Sequence, residues 1–244
     1  MTGELRVIPV RGIPELEEGD DLAALVVGAA PDFEDEDILV VAQKAVSKVE
    51  GRVVDLADVV ASERARELSG ATDARRVEVV LRESREVVRT RPPLVIAETL
   101  HGFVCASAGV DASNAKGPDT LVLLPLDPDA SAARLRERVV ALTGVEIGVI
   151  VSDSFGRAWR LGTTDVALGV AGLTAVLDLD GQRDGFGYEL HATQIAVADE
   201  IAGAAQLVMG KLDGIPAAIV RGLRMGGNGR GSDLVMPRER DLFR

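Results

Sequence analysis

An unbroken apolar run, Ile147-Gly148-Val149-Ile150-Val151, passes without a spacer into the polar cluster Ser152-Asp153-Ser154-Phe155-Gly156-Arg157. Such a run suits a strand buried on both faces. Open α/β sheets keep their chemistry at the ends of such strands. Ile38-Leu39-Val40-Val41-Ala42, bounded by Asp37 and Gln43, has the same character and predicts a second central strand.

Outward from these two runs, strands and helices alternate. Leu5 to Val10 and Ala217 to Val220 read as strands, and so does Leu121 to Leu124. Asp20-Asp21 caps a helix that carries Leu22, Leu25, Val26 and Ala29 up to Pro31. Residues 55 to 90 are charge-rich with helical apolar spacing and predict about two surface helices. After Pro92-Pro93, Leu94 to Ala97 and Phe103 to Ala106 predict a hairpin around His101-Gly102. A helix runs from Asp129 to Thr143 and closes on Gly144. Residues 161 to 176 are small and Gly-rich, and Ala192 to Val208 is a further helical pattern. Four glycines between 225 and 235 read as a flexible tail, so the globular part is expected to end near residue 224.

The composition sets outer limits. The 244 residues, 47% hydrophobic, are enough to bury a substantial core. A net charge of −12 without a Lys/Arg run disfavours nucleic acid and anionic lipid as partners. The single Cys105 excludes an intrachain disulfide and a multi-cysteine metal site, which fits a reducing compartment. Met1 to Arg6 has no apolar signal core and later apolar runs are too short to span a bilayer, so a cytoplasmic protein away from membranes is expected.

No Walker-type phosphate loop and no dinucleotide Gly-x-Gly-x-x-Gly unit is present, so any phosphate site is built differently. The strongest chemical candidates are Asp111, in Ala-Gly-Val-Asp-Ala-Ser-Asn, and Asp153, both read as loop residues directly after apolar strands. Two readings stay open for them: ligands of a hard divalent cation such as Mg²⁺ or Mn²⁺, or ordinary turn and cap residues. Arg157 and Arg160 beside Trp159 suit a phosphate or carboxylate clamp, or simply the surface. His101 and His191 read as structural, and Cys105 as an inert core thiol.

Several segments together resemble the coenzyme F-420:γ-glutamyl ligase family. They are Pro9-Val10-Arg11-Gly12-Ile13-Pro14-Glu15 with Gly19-Asp20-Asp21-Leu22; Val46-Ser47-Lys48-Val49-Glu50-Gly51; His101-Gly102-Phe103-Val104 leading to Ala108-Gly109-Val110-Asp111-Ala112-Ser113-Asn114; Ser152 to Arg160; and Ala198-Asp199-Glu200-Ile201-Ala202 through Gly210-Lys211. The resemblance spans nearly the whole chain, and five motifs in the family's order are more specific than any one.

The resemblance implies a mixed α/β (α+β) fold of two intertwined lobes working as a homodimer. It implies a ligase that uses GTP to join L-glutamate to coenzyme F-420-0, then extends the tail through γ-linkages. By motif, Asp111 and Asp153 stand as catalytic residues and ligands of a first divalent metal, Mg²⁺ or Mn²⁺, with Ser154 on a second and K⁺ as a further candidate ion. Ile13, Pro14, Glu15, Leu16, Gln43, Lys48 and Asn114 match guanine-nucleotide contacts, as do Met209, Gly210 and Lys211. Lys211 departs from the pattern, because some members place a Gln metal ligand there and a protonated lysine has no lone pair to offer. Relatives that continue past a segment like Asp241-Leu242-Phe243 enter a flavin-binding, nitroreductase-like domain, so residues 225–244 are also readable as a linker. Two other readings remain: a ligase for a different carboxylate acceptor, and a non-catalytic GTP-binding subunit. Asp111, Asp153 and Lys48 argue against the latter, since charges that repel without a metal serve nothing there.

Overall fold

The computed structural model describes residues 4–243. Met1 to Gly3, part of the stretch read as lacking a signal core, lie outside the described residues, as does Arg244.

In chain order the elements are β1 (Arg6–Val10), α1 (Leu22–Ala29), β2 (Ile38–Ala42), α2 (Gln43–Val49), β3 (Val53–Asp55), α3 (Glu63–Ser69), α4 (Ala74–Arg82), β4 (Ser84–Arg91), β5 (Leu94–Thr99), β6 (Val104–Ala106) and β7 (Thr120–Val122). They continue with α5 (Pro128–Thr143), β8 (Gly148–Arg157), β9 (Arg160–Ala171), β10 (Leu177–Asp178), β11 (Gln194–Ile195), α6 (Val197–Met209) and β12 (Ala217–Arg221). The chain is thus mixed α/β.

The central sheet has the order β1-β12-β2-β8-β9, parallel only between β2 and β8. Both apolar runs lie in its middle, and their side chains alternate between two cores. Leu39, Val41, Val149 and Val151 face one core with residues of α1 and α5, and Ile38, Val40 and Ile150 face the other with Ala198, Ile201, Ala202 and Ala205 of α6. Burial on both faces explains why these runs are continuous rather than alternating. The helix ends follow local chemistry: Asp21 accepts from the Ala24 N–H at the start of α1, and Gly144 closes α5 in the left-handed region at φ 74°.

A smaller unit packs α3 and α4 on the three-stranded sheet β4-β5-β6, with Ala65, Val77, Val80, Val95 and Ala97 at its core. The expected hairpin around His101-Gly102 is present as β5 and β6. The two expected surface helices end earlier than their charge pattern suggests, since Ser84–Arg91 forms β4, an edge strand that pairs only with β5. Charges on its exposed positions hide its period from the sequence.

Two further expectations are corrected. Residues 161 to 176, read only as small and Gly-rich, contain most of β9, and at Gly169 the backbone of another segment comes close: a Cβ there would fall 2.0 Å from the Pro128 carbonyl oxygen. The glycine-rich stretch expected to be flexible instead lies on the core. Gly226 bridges to Leu173, and Cβ atoms at Gly229 and Gly231 would lie 2.3 Å from the Ala175 nitrogen and 2.0 Å from the Leu168 oxygen. Glycine serves close approach here, not freedom.

Candidate active site

Asp153 stands within a strand, not a loop. β8 continues through the polar cluster because β9 pairs with it, matching Asp153 to Val166, Ser154 to Asp165 and Phe155 to Thr164, with a register shift between Val151 and Ser152. Strand alternation then puts Asp153, Phe155 and Val166 on one face and Ser154 and Asp165 on the other. On the latter face the Ser154 hydroxyl donates to Asp165 Oδ1 at 2.6 Å and that of Ser152 to Oδ2 at 3.2 Å. Gln206 of α6 donates to Ser154 Oγ at 3.3 Å, and Lys211 Nζ lies 3.4 Å from the same oxygen. An amide therefore does neighbour Ser154, supplied by residue 206 rather than 211.

Burial pushes Asp153 up to about 6, and the Asp165 charge adds to this; the Ser154 N–H, Lys44 and Lys211 pull the other way. Asp111, joined to Val122 by an isolated bridge, behaves oppositely. Its burial raises the pKa, but hydrogen bonds from Lys44 and Ser113 outweigh that and hold it below the usual carboxylate range. Lys44 Nζ is 2.5 Å from Asp111 Oδ2 and its charge also reaches Asp153, so it electrostatically links the two aspartates.

Ile13, Pro14, Glu15, Leu16, Gln43, Lys48, Asn114, Asp153, Ser154, Met209, Gly210 and Lys211 line one cleft of about 400 Å³, with Lys44 and Asp165. Asp111 is not on that lining and connects to it through Lys44. Lys48 is paired with Glu15 at 2.5 Å across the cleft wall. Gln43, fully buried, gives both amide hydrogens away, to Ser47 Oγ and to the Leu123 carbonyl, each at 2.7 Å. It ties α2 to the chain after β7.

Lys44, Asp165 and Gln206 escaped the sequence reading. Lys44 had a signal, since four residues before Lys48 it shares a helix face with it. Asp165 and Gln206 sit in segments whose pattern says nothing about chemistry.

The remaining candidates fall away from the cleft. Arg157 donates to the Leu161 carbonyl at 3.3 Å, and Trp159 at the hairpin tip is 84% exposed. His101 Nε2 faces the carbonyl oxygens of Pro125 and Leu126 at 2.8 and 3.1 Å, so it carries the hydrogen, and buried Nδ1 has no hydrogen-bond partner among the described residues. Cys105 is buried, and desolvation together with the Asp153 charge pushes its thiol up to about 12. An aromatic disulfide reagent is therefore expected to leave Cys105 unmodified in the native protein and to label it only on unfolding; fast native labelling would contradict this burial.

Among the described residues no three His, Cys, Asp or Glu side chains gather to hold a metal on their own. The donors around Asp153 are carboxylates and hydroxyls, hard oxygens of the kind Mg²⁺ and Mn²⁺ take while keeping waters and substrate phosphate oxygens as further ligands. The raised proton affinity of Asp153 marks a carboxylate short of positive charge, so the set fits such an ion.

Comparison with known proteins defines the class first: the chain is a ligase. It belongs to the F420-0:gamma-glutamyl ligase family, whose model matches residues 12–222. It is 43% identical to the coenzyme F420:L-glutamate ligase of Methanocaldococcus jannaschii over 100% of both chains. It is 43% identical to that of Methanothermobacter thermautotrophicus over 98% of this chain and 99% of the relative, and 44% identical to that of Archaeoglobus fulgidus over 98% and 96%.

Proposed function

We propose that this chain ligates L-glutamate onto coenzyme F-420-0 and then lengthens the tail through γ-linked glutamates, using GTP with Mg²⁺ or Mn²⁺. One observation carries the reading: the positions matched to nucleotide contacts, residues 13–16, 43, 48, 114 and 209–211, far apart in the chain, line one cleft with Asp153 and Ser154.

The γ-phosphoryl group of GTP passes to the acceptor carboxylate, giving an acyl phosphate and GDP. The glutamate amino nitrogen then attacks the acyl carbon, forming the amide and releasing phosphate and a proton. Lys48 leaves Glu15 to meet phosphate oxygens, and Lys211, also on the cleft lining, adds a second cation. Asp153 and Asp111 would hold the divalent ion, with Ser154 and Asp165 beside a second; such an ion supplies neutralisation of the phosphate charge. Lys44 keeps Asp111 ionised and oriented for that task.

The working unit is a homodimer of intertwined lobes, in the cytoplasm. Leu161 at the tip of the β8–β9 hairpin and Phe186 are fully exposed, and such apolar side chains suit coverage by a subunit. No helix among the described residues is long and apolar enough to cross a membrane.

The test is mass spectrometry of the purified protein with F-420-0, GTP, L-glutamate and Mn²⁺, leaving out each in turn. Glutamyl additions only in the complete mixture are expected. GTP binding without any adduct sinks the acceptor assignment.

A further inference from the structure

A second cavity, of about 410 Å³, shares no lining residue with the nucleotide cleft. Phe103, Val104, Phe155, Val166, Leu234 and Phe243 form much of its wall, with Arg240 and Asp199 as polar members. Its volume falls in the range of about 300–1,000 Å³ usual for small-molecule sites, and an apolar wall with a few polar groups is their common make-up.

Its position follows from strand register. Asp153, Phe155 and Val166 share one face of the β8–β9 ribbon, and the latter two line this cavity. Asp153 also lines the nucleotide cleft, whose floor is Ser152, Ser154 and Asp165. Asp153, on the lining of the nucleotide cleft, is thus next in register to Phe155 and Val166 of the second cavity, the adjacency that a phosphoryl donor and its acceptor require.

The aromatic groups form two clusters. Phe103 meets Phe155 edge-on at 6.3 Å and His101 in a stacked arrangement at 6.0 Å, and Phe243 meets Trp159 at 4.8 Å. The charged groups divide between two tasks. Arg240 offers a guanidinium for a phosphodiester or carboxylate. Asp199 uses one oxygen, Oδ1, to accept the Ala167 N–H at 2.8 Å, and its carboxylate is an acceptor for an imide N–H.

We infer that this cavity seats the planar deazaflavin ring of the acceptor, between Phe155, Phe103 and Phe243, with the phosphodiester tail directed past Arg240 so that its terminal carboxylate reaches Asp153. The inference rests on the F-420 reading and adds the place and the recognising residues. A tricyclic imide with an anionic tail matches both the aromatic walls and the two polar groups; L-glutamate, whose charges suit Arg240 and Asp199, leaves the aromatic walls unmatched.

The test is direct binding of F-420-0, followed by its own fluorescence, to wild type, Phe155→Ala and Phe103→Ala in the absence of GTP. GTP affinity is measured alongside, and thermal unfolding checks folding. About tenfold weaker F-420-0 binding in each alanine variant is expected, from the cost of losing one stacking partner, with GTP affinity unchanged and Phe155→Tyr restoring most of the loss. Phe243→Ala, at a side chain 65% exposed, provides a variant that does not endanger the fold and is expected to weaken F-420-0 in the same direction. Wild-type F-420-0 affinity in all three alanine variants overturns the placement while the ligase reading stands. A wild-type protein that binds GTP and not F-420-0 overturns both.

Discussion

Asp153→Asn is expected to lower glutamyl transfer at saturating metal by at least about a hundredfold while leaving the protein folded, the loss typical of one charged or polar group aimed at the reacting phosphate. The change removes a charge and almost no volume. The same variant is expected to melt higher than wild type when both are free of metal at pH 7.5. Burial dominates and, with a smaller contribution from Asp165, raises the pKa of Asp153 to about 6, although the Ser154 N–H, Lys44 and Lys211 lower it. An acid whose folded pKa is raised binds more protons folded than unfolded, so metal-free wild type loses stability as the pH rises from about 4 to about 6, then stays level. The penalty at neutral pH is on the order of 1–3 kcal/mol, and asparagine does not carry it. Differential scanning calorimetry at pH 4.5 and 7.5, with and without Mn²⁺, separates the cases. Near-normal turnover, or a melting advantage for the variant that persists at pH 4.5, counts against the role given to Asp153.

Gly231→Ala is expected to lower the melting temperature by roughly 5 °C, from an overpacking cost of about 1–3 kcal/mol in a chain of this size. A Cβ there would meet the Leu168 carbonyl oxygen at 2.0 Å. The backbone is held in place, since Asp129 Oδ1 at the start of α5 accepts from the Gly231 N–H at 2.6 Å and from the Val170 N–H at 2.9 Å. One carboxylate thereby clamps the C-terminal stretch to β9. Were residues 225 to 235 the free linker that their glycine content suggests, alanine would instead be neutral or slightly stabilising through the unfolded chain, and an unchanged melting curve would favour that view. The outcome also bears on the acceptor cavity, because Leu234 and Phe243 of the same C-terminal stretch line it.

Much of the fold was legible because its signals are local. The two central strands announce themselves as unbroken apolar runs, α1 carries its cap at Asp21, α5 its closing Gly144, and turn residues separate β5 from β6. β4 and β9 were not legible. Their residues are charged or small, and strand structure there comes from partners: β5 for one, β8 for the other. Ser152 to Arg157 likewise looked like a loop because nothing within it says that β9 will pair with it.

For the candidate site, Asp111, Asp153, Ser154, Lys48 and the nucleotide-matching stretches are proposed from sequence motifs, since each residue type and its immediate neighbours form a recognisable pattern. Lys44, Asp165 and Gln206 gained their significance only from contacts more than ten residues away in sequence. The amino-acid sequence by itself determined the family, the central strands and the identity of the principal acidic and basic groups. Only the tertiary structure decided that Asp153 lies in the cleft beside two residues of a second cavity, that Lys44 links the aspartates and that the glycine-rich stretch is packed, because strand register, burial and long-range charge pairing are set by segments distant in the chain and leave no local periodicity to read.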